Sequence, residues 1–255
     1  MNTDPLLLVP GLMCDRAAWD PLIPVLGRQV TCVVVDHSDA DSLALMARRL
    51  LDTAPPRFAL AGHSMGGRVA LEVMRQAPLR VSRLALLDTG YRGRAAGAAG
   101  ETEAAQRARL LEIARSQGVR AMASTWVQGM VHPSRLADAA LIESIIDMFE
   151  RKTADIFAAQ IAALLGRADA ADLLTGIAVP TLVLCGRQDG WAPVAQHQEI
   201  ADRIPGAVLD VVDDAGHMST MERPVTVAAA LRRWLDIEEK QNGTADFAAS
   251  PGAFN

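Results

Sequence analysis

The chain lacks long apolar runs. No stretch of its 255 residues approaches 18 uninterrupted apolar positions, about the length a helix needs to cross a bilayer, so a membrane partner is not expected. The short run from Leu6 to Val9 follows Met1-Asn2-Thr3-Asp4-Pro5. It has no positive segment before it and is too short for the core of a signal peptide, which points to the cytoplasm. Cysteine is scarce: Cys14, Cys32 and Cys185 are odd in number, widely spaced and set among apolar residues. That pattern excludes a disulfide framework and a CxxC metal site, and it fits buried thiols in a reducing compartment. Lysine is nearly absent, with Lys152 and Lys240 the two among 25 basic residues, and neither basic type is clustered. Set against 30 acidic residues, the balance is 25 − 30 = −5. Without a concentrated positive face, nucleic acid is set aside as a partner. Internal repeats and low-complexity tracts are also missing.

What is present is an apolar half of the composition, which excludes disorder as the main state. At this length one core buries roughly 70 to 75% of the unfolded surface, so one large domain with an insertion is expected rather than two equal ones. Short apolar runs recur at Leu6 to Val9, Val30 to Val35, Phe58 to Ala61, Leu84 to Leu87, Thr181 to Cys185 and Val208 to Val212. They are continuous rather than alternating, as strands of a helix-covered parallel sheet are. Helical patterns fall between them at Ser42 to Leu51, Gly66 to Gln76, Ala192 to Arg203 and Val225 to Asp236. The repetition predicts an α/β fold, a doubly wound and mainly parallel sheet of about six strands flanked by helices. From 90 to 178 no convincing strand occurs; helical periodicity takes over, with a cap expected at Ser134 and a flexible hinge at Arg92 to Gly100. The division is then a core of residues 1–89 and 179–240, a helical insertion at 90–178, and a frayed tail at 241–255. Whether the chain is a monomer or a homodimer is not decided by these patterns.

The third strand runs into Gly62-His63-Ser64-Met65-Gly66, a G-x-S-x-G between strand and helix. Small residues flank the serine because the chain reverses so tightly that a side chain there would strike its neighbours, while strain lifts the hydroxyl clear of the sheet. A serine hydroxyl needs a base, and the base needs an orienting acid. His217, in Asp214-Ala215-Gly216-His217, follows the last strand, where a loop can carry it to Ser64. The other histidines suit the role less: His63 should pack locally, His37 follows the second strand, His197 falls in a surface helix and His132 in the insertion. Asp189 lies just past the fifth strand, at the carboxyl edge where open α/β sheets bind ligands. Asp88, closing the fourth strand, competes with it, while Asp213 and Asp214 read as solvated loop charges. Backbone amides of Met65, after the nucleophile, and Leu12, in Pro10-Gly11-Leu12, would stabilise a developing oxyanion.

With these motifs in hand, the chain resembles the α/β-hydrolase superfamily, of the serine esterase type with a helical cap, from Leu6 through Leu235. The resemblance implies Ser64 as nucleophile, His217 as base, Asp189 as acid, Leu12 and Met65 as oxyanion hole, and the 90–178 region as a cap over the site. The sequence departs from the family pattern in two ways. It enters almost directly into the strand before the oxyanion loop, and it has Pro10-Gly11 where many relatives have His-Gly. Serine at position 64 sets aside the branches that use a carboxylate nucleophile. The expected substrate is a small-molecule carboxylic ester with a small or medium acyl group, met by a pocket of Trp126, Met130, Met148, Phe149 and Trp191, with no metal and no organic cofactor. Arg68, Arg92, Arg94 and Arg187 would meet an anionic substrate only if the fold turned them inward. A carbon–carbon bond hydrolase or enol-lactonase of the same fold is the alternative, favoured by an Arg and a Trp from the cap. From another class, a hydrolase-fold small-molecule receptor would acylate once and slowly.

Overall fold

The computed structural model describes residues 4–236, so the tail expected at 241–255 lies outside the described residues. Strand β1 (Leu6–Val9) leads to α1 (Ile23–Leu26), β2 (Cys32–Val34), α2 (Leu43–Thr53), β3 (Phe58–His63), α3 (Met65–Gln76) and β4 (Val81–Leu87). Helices α4 (Ala98–Gln117), α5 (Val119–Trp126), α6 (Ala139–Glu150), α7 (Ala154–Leu165) and α8 (Ala171–Leu174) then follow without a strand between them. Alternation resumes with β5 (Thr181–Gly186), α9 (Val194–Arg203), β6 (Val208–Val212), α10 (Ser219–Glu222) and α11 (Pro224–Leu235).

The strands form one parallel sheet in the order β2-β1-β3-β4-β5-β6. Strands β1, β3, β4 and β5 are buried at every position, as continuous apolar runs require. The two edge strands are not, with Val33 45% and Val208 51% exposed; the covering helices do not reach them fully. From β1 the chain steps outward to β2 and then crosses back to β3. Right-handed connections therefore put α1 on one face, against α11, and α2 and α3 on the other. The crevice opens where the direction reverses, between β1 and β3. Leu12 follows the first of these strands and Ser64 the second.

Local signals set most helix ends. Ser42 caps α2 by accepting from the Leu45 amide at 3.3 Å. Helix α6 is capped by Asp138, through the Leu141 amide at 3.1 Å, and not by Ser134. A separate 3-10 turn at Pro133–Arg135 takes up that serine before α6 begins. The expected hinge is shorter than Arg92 to Gly100, because α4 already starts at Ala98, after Gly97 at φ +64°. Among the described residues no helix is long and apolar enough to cross a membrane.

One close approach fixes where the reversal sits. A Cβ on Gly66 would lie 2.1 Å from the Val9 carbonyl oxygen, and one on Gly62 would lie 2.2 Å from that of Gly66. Helix α3 and strands β1 and β3 can meet at this distance only without side chains. Gly66→Ala is expected to cost about 3 kcal/mol or more of unfolding free energy by urea denaturation; wild-type stability would contradict this account of the crossing.

Candidate active site

Ser64 joins β3 to α3 with φ +55° and ψ −118°, a conformation costing roughly 1–3 kcal/mol for a residue with a side chain. Its surroundings hold it there. The Ser64 amide donates to the Leu87 carbonyl at 2.9 Å, and the Thr89 hydroxyl donates to the Ser64 carbonyl at 2.6 Å.

His217, carried on the loop after β6, reaches this hydroxyl. Its Nε2 lies 2.8 Å from Ser64 Oγ and its Nδ1 2.8 Å from Asp189 Oδ2. With Nδ1–H donating to the carboxylate, Nε2 is left to accept the serine proton. The other carboxylate oxygen, Asp189 Oδ1, accepts from the amides of Trp191 at 2.8 Å and Ala192 at 2.9 Å. The histidine is fixed from behind as well: its amide donates to the Met130 carbonyl at 2.7 Å, and its carbonyl accepts from His63 Nε2 at 2.7 Å.

Asp88 does not hold the histidine. Its carboxyl is fully buried, accepting from the Gly186 amide at 2.8 Å and from the Ser219 hydroxyl. Burial, followed by the negative charge of Asp189, pushes its pKa well above the ordinary aspartate value. The remaining histidines are structural. His63 packs locally, as expected, with its pKa pulled to about 4 by burial and then by His217. His37 donates through Nε2 to the Pro10 carbonyl at 2.9 Å, bracing the loop after β1. His197 is not on a surface: it is fully buried, and its Nε2 accepts from the Thr89 amide at 2.9 Å because α9 turns that face toward β4. His132 is half-buried and pairs with Ser134 at 2.7 Å. Asp213 and Asp214 are the solvated charges expected, paired with Arg187 and Arg223.

Two residues that sequence reasoning missed complete the frame. Gln160 of α7 is buried and accepts the Met13 amide at 2.8 Å, with Met13 at φ +62°. Glu222 of α10 is buried and accepts from the amides of Gly216 at 2.8 Å and His132 at 2.7 Å, tying the histidine loop to the helical insertion. Gln160 was detectable as a polar residue on the stripe of Phe157, Ile161 and Leu164; Glu222 left no such signal. Leu12 and Met65 border the cavity, and among the described residues neither of their amides donates to a protein acceptor.

Residues 6–230 match the model of the Alpha/beta hydrolase family. The chain belongs to that family. It is 27% identical to a pimeloyl-[acyl-carrier protein] methyl ester esterase of Vibrio campbellii over 228 residues, covering 85% of this chain and 88% of that one. To 3-oxoadipate enol-lactonase 2 of Acinetobacter baylyi it is 28% identical, covering 74% and 66% respectively. A solved thermophilic esterase from Thermogutta terrifontis, with malate bound, superposes with a TM-score of 0.79 at 28% identity, over 91% of this chain and 89% of that one.

In this hydrolase the Ser64 hydroxyl opens on a cavity of about 740 Å³ between the sheet edge and the insertion. Trp126, Met130, Phe149 and Trp191 line it as expected, and Phe157 joins them. Met148 does not. It precedes Phe149, about 100° away around α6, and is fully buried away from the cavity. Trp126 stacks on Trp191, with ring centres 5.5 Å apart, and Trp191 in turn lies 4.9 Å from the His217 ring. Among the described residues no group of three His, Cys, Asp or Glu side chains gathers to hold a metal.

The charges at the site set a testable sign. Burial works against the His217 imidazolium, but the charge and hydrogen bond of Asp189, with Asp88 and Glu222 adding to them, hold the pKa above the ordinary 6.5. Burial likewise opposes the Asp189 anion, and His217 with the Trp191 and Ala192 amides keeps its pKa below the ordinary value. An NMR titration of His217 should therefore have its midpoint above 6.5. In Asp189→Asn, burial acts unopposed by that carboxylate and the midpoint should fall; a midpoint that rose or stayed in place would contradict this assignment.

Proposed function

We propose that the chain hydrolyses carboxylic esters of small or medium acyl substrates through an acyl-Ser64 intermediate. The observation that carries this reading is the continuous hydrogen-bond chain from Ser64 through His217 to Asp189, at 2.8 Å per link. As Ser64 Oγ bonds to the ester carbon, its proton passes to His217 Nε2 and the carbonyl oxygen takes up the negative charge. The free amides of Leu12 and Met65 receive that oxyanion; one such donor is worth about a hundred- to a thousandfold in rate. The alkoxide leaves with the proton from His217. Water then attacks the acyl-serine, gives a proton to His217, and the acid departs as Ser64 recovers its own. Asp189 stays ionised throughout and holds the imidazole in the tautomer that accepts at Nε2.

The 90–178 region acts as a cap in this reading. It supplies Trp126, Met130, Phe149 and Phe157 to the cavity, an apolar wall against which the charges of the transition state interact more strongly than in water. The esterase named for Vibrio campbellii supports linear esters as the substrate class. A second reading, a cyclic ester such as an enol-lactone, is favoured by the arginine and tryptophan side chains that the cap brings to the cavity, and by the Acinetobacter baylyi relative. Both use the same acyl-serine chemistry and differ in whether the leaving group stays tethered.

The test is turnover of p-nitrophenyl butyrate, with peptide mapping of a fluorophosphonate adduct. Repeated rapid turnover with the label on Ser64 is expected, and Ser64→Ala should lose about 10⁵-fold or more in kcat while keeping its fold by circular dichroism. Near-native activity in the variant rejects the mechanism, and one slow acylation with the product retained would make the protein a receptor instead.

A further inference from the structure

The apolar wall accounts for one part of the cavity. Another part is lined by Arg68, Arg107 and Arg167, with Glu103 among them. These side chains form one cluster. Glu103 accepts both Nη1 and Nη2 of Arg167 at 2.8 Å each, and also Arg107 Nε at 3.1 Å. Arg167 Nε and Arg68 Nη1 both donate to the Arg92 carbonyl, at 3.2 and 2.8 Å. Glu103 is thereby fully engaged by two guanidinium groups, and Arg68 has no carboxylate partner among the described residues. Asp169 lies nearby but is exposed and is taken up by the amides of Gly93 and Ala171.

Three cations therefore share one carboxylate in surroundings that exclude much of the solvent, with the Arg167 side chain 10% and the Arg107 side chain 23% exposed. Burial, then the charge of Arg167, outweighs the opposing Glu103 carboxylate and, with Arg107 adding to it against Asp169, pulls the Arg68 pKa down to about 9. Uncompensated charge of one sign, kept out of water, is costly unless a counter-charge arrives. Arg68 lies in the first turn of α3, four residues after Ser64, and both side chains line the same cavity. Its fork of donors suits the two oxygens of a carboxylate.

We propose that Arg68, backed by Arg107 and Arg167, forms a subsite for a free carboxylate carried on the acyl chain of the substrate. The physiological ester is then a monoester of a dicarboxylic acid. An anchor on the acyl side remains engaged after the alcohol has left, so it positions the carbonyl in both acylation and deacylation. This inference rests on the acyl-Ser64 reading above.

The experiment compares kcat/KM for p-nitrophenyl monoesters of glutaric and adipic acids with that for uncharged p-nitrophenyl alkanoates of the same chain length. The wild type should prefer the charged esters by about tenfold or more, the range expected for a charge-assisted hydrogen bond. Arg68→Met should reduce that ratio by about tenfold, and Arg68→Lys should retain part of it; melting temperatures verify that each variant is folded. Arg107→Met, which leaves Arg68 itself in place, should reduce the ratio less. A wild-type ratio near or below one, or a ratio unmoved by both Met variants, overturns the subsite. Hydrolysis of both ester classes without preference removes the subsite alone, whereas hydrolysis of neither removes the esterase reading beneath it.

Discussion

The molecule depends on a place where three backbones pass almost in contact. Strand β3 ends, the chain reverses at Ser64, and α3 leaves over β1 with Gly66 against the Val9 carbonyl and Gly67 against the Thr89 side chain. Because no side chain separates them, the end of β1 and the start of α3 border the same small volume, and the amides of Leu12 and Met65 come with them. The strain in Ser64 is supported by two hydrogen bonds with one neighbouring segment, the end of β4, through Leu87 and Thr89. A conformation that is unfavourable for an isolated residue thus becomes the one the packed sheet requires.

In the proposed mechanism, charge decides which carboxylate serves that serine. Two aspartates close adjacent strands, and both are nearly inaccessible to solvent. Asp189 has an imidazole and two amides for its oxygens, so its ionised form is favoured. Asp88 is spent on the Gly186 amide and the Ser219 hydroxyl, and its ionised form is disfavoured with Asp189 already charged beside it. Two neighbouring acids are pushed in opposite directions by their surroundings, the pattern by which distinct roles are assigned to like groups. The same reasoning extends to the cavity wall, where an excess of guanidinium groups surrounds a single engaged carboxylate.

The sheet was legible in the sequence because each inner strand is a short apolar run closed by Gly, Pro, Asp or Ser, and such runs have few other uses in a soluble chain. Ser64 and Asp189 were legible because each follows one of those runs, and His217 because it follows the edge run of β6; the carboxyl edge of a parallel sheet is a single place in space. What escaped were contacts with no local signature. Glu222 holds the histidine loop from a short helix whose sequence resembles a turn. His197 reads as a surface residue because α9 is polar around it, yet its imidazole is inserted between that helix and the loop after β4. Met148 and Phe149 look interchangeable in an apolar stripe, and only the helical phase separates core from cavity. The arginine cluster was visible as single residues, but its charge imbalance arises from segments far apart in the chain, Arg68 in α3 and Glu103 in α4 among them.

In the proposed mechanism, hydroxyl, imidazole and two amides are already assembled around the position of a tetrahedral intermediate. A crystal structure of the protein inactivated with an ethyl p-nitrophenyl alkylphosphonate measures this directly, since the tetrahedral phosphorus on the serine stands in for that intermediate. Phosphorus should be bonded to Ser64 Oγ, with one phosphoryl oxygen within about 3 Å of both the Leu12 and Met65 nitrogens and the backbone of the site unmoved. A phosphoryl oxygen turned away from both amides, or an adduct on another residue, would contradict the mechanism.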